Sequence, residues 1–134
     1  MSARTLFLSR LLGLFYLICG LAMIVHKHAY LDAVSKLTSN PTALFLVSLL
    51  IVIAGLAMIL AHNVWSKSAP AVMVSLVGWL TLLKGVVYLL LPAKWMQAFF
   101  QAAFNSDVYF YSAAGFLLLL GAYLAYEGFR PQSA

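Results

Sequence analysis

Acidic residues are almost missing from this chain. Its 134 residues include three, Asp32, Asp107 and Glu127, against eight lysines and arginines. Charged residues of both signs make up 8%, where a water-soluble domain carries roughly 25%. So few charges cannot cover a surface facing water, and the bulk solvent of this chain is expected to be lipid. The single cysteine, Cys19, excludes an intramolecular disulfide. It follows Ile18 inside an apolar run, where a lipid-attachment cysteine would follow a small residue, so it reads as a small core residue. No GxSxG, HExxH, phosphate-binding loop or pair of acids occurs, so an enzyme is not expected. His26, His28 and His62 fall at the ends of apolar runs, and His26 with His28 would give a metal only two ligands. Neither a metal nor any other cofactor is expected. The basic residues are scattered along the chain rather than gathered on one face, which argues against a nucleic-acid partner.

What the chain has instead is hydrophobic residues, 65% of the total. Four runs reach the roughly 20 apolar residues that cross a bilayer as a helix: 5–25, 42–61, 71–91 and 108–126. None alternates apolar with polar residues as a barrel strand would. The expected fold is all-α: a polytopic membrane protein, 1–134, built as one four-transmembrane-helix bundle. The first run is longer than the 7–15 apolar residues of a signal-peptide core and no A-x-A site follows, so it is expected to be retained. Asn40-Pro41 opens the second span with a cap and a first-turn proline. Asn105, Ser106 and Asp107 supply a cap for the fourth, and Pro92 closes the third. The first and third connections read as short amphipathic helices in the membrane interface. Tyr30, Val34 and Leu37 form the apolar side of 28–37, and Trp95, Met96, Phe99, Phe100 and Phe104 that of 93–104.

The halves resemble each other. A shift of 65 residues lays Gly13 on Gly78, Leu17 on Leu82, Gly20 on Gly85, Tyr30 on Trp95, Ala33 on Ala98 and Asn40 on Asn105. One further residue of shift lays Gly55 on Gly121. The reading is an internal duplication, 1–67 and 68–134, as two parallel-repeat helical hairpins about an axis along the membrane normal. The pairs Gly13/Gly20 and Gly78/Gly85 each make a flat stripe for close helix approach, within the bundle or between protomers. Ala54, Ala57 and Ala61 offer a similar surface. The partners expected are therefore membrane lipids and a second copy of the chain or a larger membrane complex. Arg4, Arg10, Lys67 and Arg130 fall on one side of the membrane and Lys27, Lys36 and Lys94 on the other. That bias places both termini in the cytoplasm.

Lys84 is the residue that needs explaining. It lies seven positions inside the end of the third span, about 10 Å deep at about 1.5 Å per residue. A lysine at mid-membrane costs about 2.5–3.5 kcal/mol, less where the stem lets the ammonium snorkel to the headgroups. Counting depth brings Tyr16, Cys19, Ser48, Thr81, Tyr88 and Ser112 to its level as a candidate ligand-binding cluster. No carboxylate is expected there: Asp32 and Asp107 fall at one surface and Glu127 at the other end. The expected function is non-enzymatic, either lipid or small-molecule binding or an accessory role in a membrane complex. The alternative is an oligomeric channel or carrier with its polar site around Lys84.

His62-Asn63-Val64-Trp65, Gly78-Trp79, Lys84-Gly85 and Pro92 form a spaced set. It resembles the pattern of a group of small uncharacterised bacterial four-helix inner-membrane proteins, over the second and third spans and their connection. The resemblance implies a bacterial inner membrane and that His62, Asn63, Trp65, Gly78, Trp79, Lys84, Gly85 and Pro92 belong together; it implies no activity. In shape alone, four helices in a short chain, the sequence also resembles the DoxX-like proteins.

Overall fold

The structure is a computed structural model that describes residues 1–133; residue 134, the last of the second expected repeat, lies outside it. Six helices follow one another: α1 (Ala3–Val25), α2 (Lys27–Ser39), α3 (Pro41–Ala61), α4 (Ala69–Leu90), α5 (Ala93–Phe104) and α6 (Asp107–Phe129). No strand occurs among the described residues. α1, α3, α4 and α6 are long and apolar enough to cross a membrane, and α2 and α5 are the two short helices expected in the connections. Their starts are chemically determined. The Asn40 side chain accepts from the Ala43 amide at 3.1 Å, with Pro41 in the first turn. Ser2, Ser68 and Ser106 cap α1, α4 and α6 in the same way. Each cap satisfies an amide that the helix itself cannot.

The pairing of the spans is not that of sequence neighbours joined by α2 and α5. α1 packs along α6 and α3 along α4, α1 meets α4 between the pairs, and α2 lies against α5 at one end. Both chain termini lie at the opposite end, where the terminal amine donates to the Gln132 side chain at 3.2 Å. Each long interface closes on glycine. A Cβ built on Gly13 would stand 2.4 Å from the Ala125 amide nitrogen, and one on Gly55 would stand 2.5 Å from that of Leu82. Backbones so close gain dispersion contacts that any side chain would forfeit, which is how helices associate where lipid cancels the hydrophobic drive. Gly13, Gly20, Gly78 and Gly85 thus all pack inside the chain. Ala54, Ala57 and Ala61 do not: they are exposed on the outer side of α3.

Two apolar clusters hold the centre. Leu12, Val74, Val77 and Leu124 join α1, α4 and α6, while Met23, Phe110 and Ala114 gather Tyr30, Leu31 and Phe104 beneath the α2/α5 end. The outward faces carry Ile18, Leu50, Leu60, Leu90 and Leu119, all exposed. Such a surface is stable in hydrocarbon and not in water. The chain is a multi-pass helical membrane protein.

Candidate functional site

Lys84 faces outward from α4 at the junction of two hollows. One, of about 510 Å³, opens between α4 and α5, with Leu83, Val87, Leu91, Trp95 and Phe99 on its walls. The other, of about 190 Å³, lies between α4, α6 and Tyr16 of α1, walled by Leu76, Leu80, Phe116 and Leu120. The ammonium turns toward the α5 end and stands 5.8 Å from the centre of the Tyr88 ring. That ring meets Phe100 edge-on at 5.7 Å, and from Phe100 the aromatic contacts continue through Phe104 to Tyr30 and Phe110.

Among the described residues no carboxylate reaches Lys84, and the three acidic side chains are engaged elsewhere. Asp32 pairs with Lys36 at 2.7 Å, Asp107 with Lys27, and Glu127 with Arg130 at 3.1 Å. Lys27 shows what a satisfied lysine looks like here. It donates to Asp107, which holds its ammonium above the usual lysine range, and it lies over the Phe110 and Tyr111 rings at 5.2 and 4.9 Å. Nearby, burial pushes the Tyr30 phenol up. Lys84 has the ring and lacks the anion.

Of the residues that depth counting assembled, the structure brings Tyr16, Thr81 and Lys84 to the smaller hollow and Tyr88 with Lys84 to the larger. Thr81 already donates to the Val77 carbonyl at 2.7 Å. Cys19, Ser48 and Ser112 border neither hollow. Ser48 is fully buried and donates to the Leu44 carbonyl at 2.6 Å, and Ser112 is exposed on α6. Depth fixes a residue's level and leaves its direction around the helix open, so a list made by level mixes several faces.

The His62-Asn63-Val64-Trp65 and Gly78-Trp79 set forms a hydrogen-bonded knot between the end of α3 and the first turns of α4. The Asn63 side-chain carbonyl accepts from both indoles, Trp65 at 2.6 Å and Trp79 at 3.2 Å. His62 is buried, and its Nε2 lies 3.2 Å from the Ala71 carbonyl, which requires the proton on that nitrogen. Ser75 closes the knot: its hydroxyl accepts from the Val64 amide at 2.8 Å and lies 2.9 Å from the Val64 carbonyl. Pro92 stands apart as the residue that opens α5.

Two polar residues escaped the sequence reading. Ser9 is completely buried with no partner for its hydroxyl among the described residues, and Glu127, expected at the inner end of the fourth span, is 9% exposed. Its Oε2 keeps the ionic contact to Arg130 without hydrogen-bond alignment. The cause is the length of α6, which runs to Phe129 and carries Glu127 one turn beyond buried Leu124 on the face toward α1. Ser9 stands one turn beyond Leu12 on α1, at the same level. The spacing Leu120, Leu124, Glu127 was the available signal. No group of three or more potential metal ligands occurs among the described residues. Comparison of the chain with protein-family models, curated proteins and solved structures finds no match.

Proposed function

We propose that this chain is a non-enzymatic integral membrane protein, of a bacterial inner membrane, that holds an amphiphilic ligand beside Lys84 and works as a binding or accessory component of a membrane assembly. The observation that carries the reading is Lys84 itself. It is a cation within an apolar span, without a carboxylate, at the meeting point of two apolar hollows. A charge in such a place is costly unless something compensates it. The bacterial inner membrane rests on the sequence resemblance described above. The exposed small face of Ala54, Ala57 and Ala61 supports self-association or docking onto a partner helix. The melting temperature of the purified chain in detergent, with and without native lipid extract, tests the reading in wild type and Lys84→Met. Extract should raise it in wild type and not in the variant; identical curves under all conditions would sink the site.

Both termini are proposed to face the cytoplasm, following the lysine and arginine bias. Labelling of a cysteine placed at Ser133 from the outside of the cell would overturn that orientation. The internal duplication is proposed on the same footing, supported by the register of the interfaces. Gly13 abuts Ala125 where Gly78 abuts Ile59, Gly20 abuts Leu118 where Gly85 abuts Val52, and Gly121 abuts Leu17 where Gly55 abuts Leu82. Every partner in these pairs differs from its counterpart by the same 65 or 66 residues as the glycines do.

A further inference from the structure

The geometry points to an anionic phospholipid as the occupant of the Lys84 site, its phosphate against the Lys84 ammonium and one acyl chain along α4 through the two hollows. This rests on the reading of Lys84 as a binding site and adds the ligand's identity. Three observations carry it.

The first is where the two halves stop matching. The 65-residue shift lays Lys84 on Cys19 and Tyr88 on Met23. In the first half Met23 is 3% exposed, and Tyr30 and Leu31 of α2 close over it into the core. In the second half the residue matching Tyr30 is Trp95, which is 65% exposed, and α5 leaves the 510 Å³ hollow open above α4. Met96, the match of Leu31, stays buried at 3%, so only the Tyr30 half of the seal is missing at the end where the span carries its lysine.

The second is charge. The acids of the chain are all paired with other cations. The ammonium is therefore complementary to an anion brought from outside the chain, and it points toward the interface where headgroups lie.

The third is shape. Met73, Leu76, Leu80, Leu83 and Val87 follow one another at alternating spacings of three and four, on one face of α4, and border the two hollows in turn. That stripe is about 21 Å long at about 1.5 Å per residue, against roughly 15 Å for the hydrocarbon of one leaflet. A small free anion would leave this apolar track empty, whereas an acyl chain attached to a phosphate fills it.

The test uses the full chain in detergent, with native mass spectrometry counting retained lipid. Phosphatidylglycerol and phosphatidylcholine of identical acyl chains are compared in wild type, Lys84→Met, Lys84→Arg and Val87→Trp. Wild type should retain one phosphatidylglycerol in preference to phosphatidylcholine. Lys84→Met should weaken that retention roughly tenfold or more, the scale of one charge-assisted hydrogen bond. Lys84→Arg should keep the preference, and Val87→Trp, which fills the larger hollow and spares the charge, should lose retention. Inorganic phosphate should not displace the lipid. Equal retention of the two lipids by wild type, full retention by Val87→Trp, or displacement by phosphate overturns the assignment. If lipid extract stabilises wild type through Lys84 while phosphatidylglycerol is ignored, the lipid identity fails and the site stands. If neither has an effect, both fail.

Discussion

Replacing Gly55 by alanine would put a methyl carbon 2.5 Å from the amide nitrogen of Leu82 and 2.6 Å from its Cα. Both atoms belong to the backbone of α4, so no rotamer change can make room. Ordinary contact lies near 3.5–4.0 Å, and α3 and α4 would have to separate by about 1 Å. A gap of that size forfeits a quarter to a half of each dispersion contact it opens, and overpacking in cores costs typically 1–3 kcal/mol. Alanine recovers up to about 1 kcal/mol of helix propensity. The expected net loss for Gly55→Ala is therefore about 1–2 kcal/mol. Gly115 is the internal control, because nothing lies within 4 Å of its added Cβ, and Gly115→Ala should be neutral or stabilising. Reversible unfolding of the purified chain in mixed micelles, followed by circular dichroism, measures both. A Gly55→Ala variant within about 0.5 kcal/mol of wild type would refute the close approach. The same series tests the duplication: Gly121→Ala, whose Cβ meets the Leu17 amide at 2.7 Å, should cost as much as Gly55→Ala. A difference above about 1 kcal/mol between them would count against matched interfaces.

Asn63→Ala removes the acceptor shared by two indoles and should cost about 1–2 kcal/mol, at the usual net worth of about 1 kcal/mol per hydrogen bond. Tryptophan fluorescence that keeps its position and intensity in that variant would show the knot to be unimportant. Ser9→Ala deletes a buried hydroxyl without a partner and should leave stability equal or raise it by about 1 kcal/mol; a clear loss in the same unfolding assay would mean that the hydroxyl has a partner in the membrane.

The spans were legible because their cause is local. Length, apolarity and the capping residues Asn40, Ser106 and Pro92 are all properties of short windows, and helix ends fall within three residues of the sequence reading. The amphipathic α2 and α5 were legible for the same reason. The glycine spacing identified the packing faces of α1 and α4 but not their partners. That α1 takes α6 and α3 takes α4 depends on which faces meet across the bundle, and periodicity along one helix carries no such information. The site divided along the same line. Lys84 stood out because a charge in an apolar run is visible in one dimension. Tyr88 and Thr81 followed from helical spacing on the same span. The hollow under Trp95 and Phe99 did not, because it arises from the distance at which α5 is held from α4.

The nested pairing has a consequence for how the chain is made. α3 and α4 are joined by residues 62–68 and can close as soon as the second of them enters the membrane. α1 enters first, yet its partner α6 begins at Asp107 and is synthesised last. Until α6 is made the Gly13 and Gly20 face of α1 lacks the helix it packs against, and its long interface is the last to form. A ribosome that stops before Asp107 releases a chain whose α3–α4 pair can assemble while its N-terminal helix presents a bare docking groove to whatever helix passes.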